Sequence, residues 1–443
     1  MILLPRNDNR WRERGQTVVL FAVFLIALLL LTGLAIDFGR VYLTRARLSK
    51  AVDAACLNAA RSYSPTDGGA LAQQVATSAF NANYGSGGPA ITVASTPDPN
   101  NAANTLLNCN ATTTSNTLLL GILPGLSTVN VPAYAQTRRA TLVMTIVLDR
   151  SGSMSSDGGW TAATGCASGG GHCNAANGAI PKFITYFDNA RDYIGLVSYA
   201  NNASTDVPLT GNPGGFCTPT CATGPFQTKL AGLIPTGATF TLGGITNATY
   251  NNQVPSPPGN VFRVIVLLTD GLANVTQAPT LGCVNPNYSP INFGGYDPPA
   301  TQVGFYYPVD GSTLCTIADN GTPACVPGGG CTATTFLRHD WGLQVPFTRA
   351  NVSADAKALT LTAADQLRSA STTVFTIGVG NNIDPLFLQQ IANDPASSAY
   401  NPGQPVGAFF AIPSCTSNNA QCNADVLQAF EVIAANVLLR LTQ

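Results

Sequence analysis

Charged side chains are scarce in this sequence. Of its 443 residues, only 10% are Asp, Glu, Lys or Arg, and the formal net charge is −1. Proteins that bind nucleic acid carry a basic surface that neutralises phosphates, so this composition argues against a nucleic-acid partner. The length exceeds what one small core requires and predicts more than one domain.

Histidine is scarcer still, with His172 and His339 alone. A structural zinc site needs closely spaced cysteines completed by histidines or further cysteines, and that pattern is missing. The 12 cysteines therefore favour disulfides, and four close pairs lie in Gly-, Pro- and Asn-rich loops: Cys166/Cys173, Cys217/Cys221, Cys325/Cys331 and Cys415/Cys422. The cysteines from Cys109 to Cys422 are odd in number, so one of them is free, pairs with Cys56 or joins another chain.

One long apolar run lies near the N-terminus. Thr17 to Ile36 contains no charged residue, and as a helix it would cover roughly 30 Å, the thickness of a bilayer's hydrocarbon core. The run is longer than that of a signal peptide and continues directly into Asp37, which favours an uncleaved anchor. Basic residues flank both ends, so the disulfide interpretation decides the topology and places the large C-terminal part outside the cytoplasm.

The residues around this run resemble a known family. Arg14-Gly15-Gln16, the apolar span and the phrase AIDFGRVYLTRARLSKAVDAACLNAAR from Ala35 to Arg61 resemble the start of the TadE/TadG-like tight-adherence (Flp-type) pilus assembly proteins. The resemblance implies a single-pass protein of the bacterial inner membrane, with a periplasmic C-terminal region and other pilus-assembly components as partners. Pilin-like relatives are processed after a Gly and have Glu five positions later; counted from Gly15, that position is Leu20. The resemblance therefore implies an assembly component and not a filament subunit.

The predicted organisation has four parts. Residues 1–16 form a cytoplasmic N-terminus, residues 17–62 the anchor and its helical extension, residues 63–139 a small α+β segment and residues 140–443 an α/β domain. The small segment resembles pseudopilin-like proteins, with a helix from Leu71 to Tyr84 and short strands in ITVAS from Ile91, TLLL from Thr117 and STVNVPAYAQTRR from Ser127. A spacer or a docking surface is the role expected of it.

From Thr141 onward, buried strands alternate with helices. This pattern predicts a doubly wound, mostly parallel, Rossmann-like sheet with disulfide-rich loop insertions. Helices are predicted in GAIPKFITYFDNA from Gly178 and in a segment opened by an N-cap at Ser353. The strands TLVMTIVLD and VFRVIVLLTD end in Asp149 and Asp270, at the sheet edge where such folds bind ligands.

Three short motifs follow strand ends in a fixed order. They are Asp149-Arg150-Ser151-Gly152-Ser153, Thr236-Gly237-Ala238-Thr239 and Thr269-Asp270-Gly271. Each alone is also common as a capping or strand-end turn, but together they resemble the metal-ion-dependent adhesion site of von Willebrand factor A-type domains. The resemblance implies one Mg²⁺, or alternatively Mn²⁺ or Ca²⁺, held by Asp149, Ser151, Ser153, Thr239 and Asp270.

The donor types suit that ion. Mg²⁺ is a hard cation that prefers about six oxygen ligands. Three of the five candidates are neutral hydroxyls, which leave the ion electrophilic, so an open position would attract a Glu or Asp carboxylate from a protein partner. Ala238 and Phe240 depart from the family pattern at the rim. Insertions at about residues 155–174 and 272–351 emerge at the same face, and we expect them to form a cap; unchanged partner binding after deletion of Gly282 to Pro346 would contradict that expectation.

Two functional alternatives accompany the binding interpretation. A metal-dependent hydrolase is the least favoured, because Ser151 and Ser153 lack a histidine partner and the Gly-x-Ser-x-Gly pattern is missing around them. The chain is therefore predicted not to be an enzyme. The preferred function is a membrane-anchored component of tight-adherence pilus assembly that binds a partner through its metal ion, and the alternative is a stand-alone membrane-anchored adhesin.

Overall fold

The structure is a computed structural model that describes most of the chain. The described residues are 10–63, 69–98, 101–122, 126–155, 178–209, 215–218, 220–253, 260–278, 291–295, 302–306, 313–318, 323–324, 334–415 and 420–441. The chain divides into two compact units, one of Met1–Arg139 with Thr442–Gln443 and one of Ala140–Leu441. Each unit is described by itself.

The first unit is built on one long helix, α1 (Arg10–Ser62). Among the described residues it is the one helix with the length and apolar character to cross a membrane, from Thr17 to Ser62. Beyond the apolar run, the helix continues because residues 41–62 are rich in Ala and contain neither Gly nor Pro. Leu48, Val52, Ala55 and Ala59 are fully buried at helical spacing, so this half of α1 packs into a core.

The rest of the first unit covers that buried face. It comprises α2 (Ala70–Tyr84), β1 (Ile91–Asp98), β2 (Asn101–Asn116) and β3 (Thr128–Arg139). The strands form an antiparallel sheet in the order β1-β2-β3. A disulfide between Cys56 of α1 and Cys109 of β2 joins the helix to the sheet.

The strand predicted in TLLL from Thr117 is wrong. Strand β2 ends at Asn116, and Leu120–Ile122 form a short 3₁₀ turn instead. The physical reason is that the backbone amides of Leu118, Leu119 and Leu120 donate to the carboxylate of Asp37 and are not available to a neighbouring strand.

The second unit alternates strands and helices along the chain. Its elements are β4 (Thr141–Asp149), α3 (Ala179–Ile184), β5 (Tyr193–Tyr199), β6 (Ala203–Val207), α4 (Pro225–Ala231), α5 (Thr241–Gln253), β7 (Val261–Thr269), β8 (Val275–Ala278), β9 (Ile291–Gly295), β10 (Gln302–Tyr306), β11 (Thr313–Ala318), β12 (Pro323–Ala324), β13 (Thr335–Arg338), β14 (Leu343–Pro346), α6 (Arg349–Ser369), β15 (Thr372–Val379), α7 (Pro385–Ala392), β16 (Phe409–Ile412) and α8 (Ala420–Arg440).

Six of these strands form the central sheet, in the order β16-β15-β7-β4-β5-β6. All neighbours are parallel except β5 and β6. Side chains alternate along β4, so that Met144 and Ile146 contact the core under α3, α4 and α8, whereas Val147 contacts the core under α5, α6 and α7. The predicted doubly wound, mostly parallel α/β fold is confirmed.

The long insertion after β7 forms a second sheet. Its strands are antiparallel in the order β12-β11-β10-β9-β8, and β13 and β14 form a separate hairpin. Phe293, Phe305, Phe336 and Phe347 pack with ring centroids 5.0–5.7 Å apart, which gives the insertion a small aromatic core of its own. Nearly all of the other insertion, at about residues 155–174, lies outside the described residues.

Disulfides are present as predicted. Cys217–Cys221 and Cys415–Cys422 are both bonded. Cys56 is bonded to Cys109. Pairing with Cys56 was one of the three alternatives that the odd number of cysteines from Cys109 to Cys422 left open. The predicted pairs Cys166/Cys173 and Cys325/Cys331 lie outside the described residues.

Two predicted helix ends are wrong. The helix predicted from Gly178 ends at Ile184, because Asp192 then accepts from the amide of Asp188 and closes a turn. Helix α6 begins earlier than predicted, with Thr348 as its N-cap accepting from the amide of Asn351. Ser353 lies inside the helix, and its hydroxyl donates to the carbonyl of Ala273 at 2.7 Å.

Candidate metal centre

Two aspartates meet at one edge of the central sheet. Asp149 is the last residue of β4, and Asp270 directly follows β7. The two strands are adjacent and parallel, paired from Thr141 with Val261 to Leu148 with Leu268, so their carboxyl ends coincide. Both side chains are fully buried.

A chain of short contacts joins these carboxylates through two hydroxyls. The amide of Ser151 donates to Asp149 Oδ1 at 2.7 Å. The hydroxyl oxygens of Ser151 and Ser153 lie 3.1 Å apart, and the Ser153 hydroxyl donates to Asp270 Oδ1 at 2.9 Å. Four of the five predicted ligands thus form one continuous group.

The fifth, Thr239, lies against the same group. A Cβ placed on Gly271 would be 3.2 Å from Thr239 Oγ1 and 3.5 Å from Ser153 Oγ, so both hydroxyls border Gly271. Thr239 is buried and lies just before α5. The structure therefore brings together all five residues that the sequence motifs single out.

Backbone contacts hold the three motifs in place. The amide of Gly152 donates to the carbonyl of Gly237 at 2.9 Å, which joins the first motif to the second. Gly237 has a φ of 81°, and a Cβ there would lie 2.6 Å from Asn201 Oδ1. Glycine is thus required at that position by both its backbone conformation and the close approach.

Several supporting residues were missed by the sequence interpretation. Asn201 Oδ1 accepts from the amide of Ala238 at 2.6 Å, and Asn274 Oδ1 accepts from the amide of Thr239 at 2.7 Å. The Thr269 hydroxyl donates to Asp149 Oδ2 at 2.6 Å. Thr269 could have been found from its place in Thr-Asp-Gly, whereas no local motif marks the two asparagines.

The electrostatics of the group are unfavourable without a cation. Burial raises the pKa of Asp149 to about 6, although hydrogen bonds from Thr269 and Ser151 act in the opposite direction. Burial also raises the pKa of the neighbouring Tyr199 well above its usual value. Two buried carboxylates and three hydroxyl oxygens converge, and a bound cation would offset the cost of keeping both carboxylates charged.

The donor set is one of oxygens. Asp149, Asp270 and the three hydroxyls offer hard ligands of the kind that Mg²⁺, Mn²⁺ and Ca²⁺ take in proteins. Within the described residues, no group of three or more His, Cys, Asp or Glu side chains is arranged to hold a metal ion. The residues therefore fit one hard divalent cation held largely by neutral oxygens.

The long insertion reaches the rim of this group. Tyr306 of β10 packs with Ala238 and Phe240, the two residues that flank Thr239. The side-chain amide of Asn292 in β9 donates to the carbonyl of Asn201 at 3.3 Å. The inserted sheet is thus attached to the loop that presents Thr239.

Comparison with protein families agrees with this geometry. Residues 144–272, within the second unit, match the family model described as von Willebrand factor type A domain. Residues 15–62 match the model described as putative Flp pilus-assembly TadE/G-like. The chain thus has an N-terminal segment similar to TadE/G-like proteins and a region similar to von Willebrand factor type A domains, and the resemblance predicted from the sequence is confirmed.

Solved structures found in the comparison share little sequence with this chain. The PilB minor pilin from Streptococcus sanguinis is 14% identical, with 80% of this chain and 79% of that chain covered and a TM-score of 0.41. The von Willebrand factor domain of the type V pili tip protein Mfa5 from Porphyromonas gingivalis is 15% identical, with 69% and 97% covered and a TM-score of 0.36. No curated protein sequence matches the chain.

Proposed function

We propose that this protein is a membrane-anchored cell-envelope component of tight-adherence pilus assembly that binds a protein partner through a metal ion. The observation that carries the proposal is the convergence of Asp149, Ser151, Ser153, Thr239 and Asp270 at one sheet edge. The TadE/G-like match over residues 15–62 supports the pilus context.

The metal ion, when bound, supplies an electrophilic centre for a carboxylate of the partner. The hydroxyls of Ser151, Ser153 and Thr239 would hold the ion with neutral oxygens, while Asp149 and Asp270 would balance its charge. Thr269 and the Ser151 amide orient the Asp149 carboxylate through bonds of 2.6 and 2.7 Å. Mg²⁺ is the proposed ion, and Mn²⁺ and Ca²⁺ are the alternatives that the same oxygens accept.

The inserted sheet is proposed to shape access to the ion. Tyr306 packs against Ala238 and Phe240 beside Thr239, and Asn292 bonds the Asn201 loop. A partner that reaches the ion from this side must also contact the insertion. This contact would contribute to the choice of partner.

The proposed location follows from the anchor and the disulfides. Residues 17–62 anchor the chain in the bacterial inner membrane, residues 1–16 lie in the cytoplasm, and residues 63–139 and 140–443 lie in the periplasm. The apolar half of α1 and the bonded cysteines support this topology, because disulfides persist in oxidising compartments. Other pilus-assembly components are the proposed partners.

A catalytic role is not proposed. The Ser151 and Ser153 hydroxyls contact one another, and the Ser153 hydroxyl donates to Asp270. Neither is paired with a histidine among the described residues. His339 is engaged elsewhere, with its Nδ1 3.1 Å from the buried carboxylate of Asp355. Turnover of generic esters or phosphoesters that requires Ser151 would contradict this conclusion.

Affinity capture from envelope extract tests the proposal. The full chain is immobilised in detergent with Mg²⁺, and bound protein is eluted with EDTA. The matched variants are Ser151→Ala, which removes a proposed ligand, and Ser155→Ala, whose exposed hydroxyl bonds the Gly152 carbonyl outside the group.

We expect a pilus-assembly protein to be captured by the wild-type chain and by Ser155→Ala, and lost with Ser151→Ala. Capture that is equal in all three chains, or that EDTA does not reverse, would contradict metal-dependent binding. An EDTA-eluted partner unrelated to the pilus machinery would instead favour the stand-alone adhesin.

A further inference from the structure

The turn between β2 and β3 is fastened to the end of the apolar run of α1. The amides of Leu118, Leu119 and Leu120 donate to the carboxylate of Asp37 at 2.7, 3.0 and 2.9 Å. Asp37 follows the last residue of the run and is 1% exposed. Three backbone N–H groups therefore stabilise the buried negative charge of Asp37.

The same turn also touches the helix inside the apolar run. A Cβ placed on Gly33 would overlap the side chain of Leu119, with Leu119 Cβ and Cγ at 2.9 Å. Any residue larger than glycine at this position would push the turn away from the helix. The turn thus lies at the level of Gly33 to Asp37, where the proposed span ends.

The described residues of this turn include three exposed leucines. Leu118, Leu119 and Leu126 are 59%, 42% and 46% exposed. Surface turns are usually formed by Gly, Pro, Asn, Asp and Ser, so exposed leucines here call for a nonpolar neighbour. Leu34, Ile36 and Phe38 on α1 are exposed as well, and they directly flank Gly33 and Asp37, the two residues that the turn contacts.

We propose that Leu118, Leu119 and Leu126 insert into the outer leaflet of the membrane and form a second membrane contact beside α1. This inference rests on the proposed membrane anchoring. A lipid environment fits better than a protein groove because the leucines extend the surface that the anchor turns toward lipid. The bonds to Asp37 satisfy amides that lipid could not hydrate.

The contact has a mechanical consequence for the first unit. The apolar length of a lone helix sets its depth in the bilayer but leaves the helix free to rotate about its axis. With the turn inserted on one side of α1, this rotation is restricted as well. The segment after the anchor would then leave the membrane in a defined direction.

Tryptophan depth measurements on the full chain in vesicles test the inference. Leu118→Trp reports on the turn, and Tyr134→Trp is the matched control. Tyr134 is 57% exposed and lies on β3 six positions after Thr128, the residue paired with Asn116 at the end of the hairpin, so it is about 20 Å from the turn. Leu25→Trp, near the middle of the apolar run, reports on the anchor itself in vesicles whose lipid is brominated near the ends of the acyl chains. The native tryptophans contribute the same background to every variant.

The added emission of a variant is its tryptophan fluorescence above that of the wild-type chain. In vesicles of phosphatidylcholine brominated near the headgroup end of the acyl chains, we expect bromine to quench most of the added emission of Leu118→Trp. The added emission of Tyr134→Trp should persist there and be quenched by aqueous acrylamide. Combining Leu118→Trp with Gly33→Leu, which displaces the turn, should remove the bromine quenching.

The two proposals fail in different ways. If Leu25→Trp is quenched by brominated lipid but Leu118→Trp behaves like Tyr134→Trp, the leucine contact is wrong while the anchor stands. A Leu118→Trp emission that neither lipid nor acrylamide quenches would show that protein covers the turn, which also overturns the inference. Failure of Leu25→Trp to respond to brominated lipid would overturn the anchor, and the leaflet contact with it.

Discussion

Asp37 and Asp149 are both buried at the end of an apolar segment, one in each unit, yet their surroundings are opposite. Three backbone amides converge on Asp37. Asp149 instead accepts from one backbone amide, that of Ser151, and from the Thr269 hydroxyl, and it lies in the same group as a second buried carboxylate, Asp270. Burial of an acid is therefore a poor guide to its role, and the atoms around it are a better one.

The difference distinguishes a carboxylate that stabilises local structure from one that is a candidate metal ligand. At Asp37 the donors stabilise the charged form, so the carboxylate serves local structure. At Asp149 burial outweighs the hydrogen bonds and raises the pKa to about 6. A bound cation would offset the free-energy cost of keeping the buried Asp149 carboxylate charged.

The largest expected effect is a loss of Mg²⁺ affinity on substitution of Asp149 but not of Asp37. Asp149→Asn should weaken Mg²⁺ binding by at least about 100-fold, since losing even an outer-shell group costs about 10–100-fold. Asp37→Asn should leave the affinity unchanged. Isothermal titration of both variants measures the difference, and equal affinities would remove the proposed contrast.

The second prediction concerns the turn between β2 and β3, which substitution of Asp37 should loosen and substitution of Asp149 should not. Asp37→Asn should speed hydrogen exchange at the amides of Leu118, Leu119 and Leu120 by about tenfold or more, because a neutral acceptor replaces a charged one. Asp149→Asn should leave these amides unchanged. Mass-spectrometric exchange in detergent gives the readout, and unaltered protection in Asp37→Asn would show that the turn is held by other contacts.

The third prediction concerns pH and metal-free protein. The raised pKa means that folded Asp149 binds more protons than the unfolded chain between pH 3.8 and about 6. The stability of the second unit in EDTA should therefore fall as pH rises through this window. Denaturation midpoints in EDTA would be compared with those of Asp149→Asn, in which this contribution is absent. Parallel profiles for the two chains would contradict it.

The smallest expected effect tests a supporting residue. Asn274→Ala removes the acceptor for the Thr239 amide, 2.7 Å away, and should lower Mg²⁺ affinity by about tenfold. Asn436→Ala, on an exposed face of α8, is the matched control and should bind normally. A wild-type affinity in Asn274→Ala would show that Thr239 is positioned without it.

The five candidate ligands could be predicted because their signal is local and topological. Each belongs to a short motif at a strand end or just before a helix, and adjacent parallel strands bring such ends to one edge. Asn201 and Asn274 could not be predicted, because each acts on a distant loop. Only the folded chain shows which amide an isolated asparagine will face.

The errors in the fold have a similar origin. Strand β2 was missed because Asn101–Asn116 is rich in Asn and Thr and lacks a strong strand pattern, and pairing with β1 and β3 provides its stability. The apolar TLLL at Thr117 was interpreted as a strand, but its amides bond Asp37. In both cases tertiary contacts override local preference.

The most direct test of the account is a calorimetric titration of Mg²⁺ into the metal-stripped full chain. The five converging side chains predict saturable binding of one ion per chain, which Asp149→Asn weakens by at least about 100-fold. Titration that gives no heat with magnesium, manganese or calcium, or an affinity that Asp149→Asn retains, would contradict the metal centre.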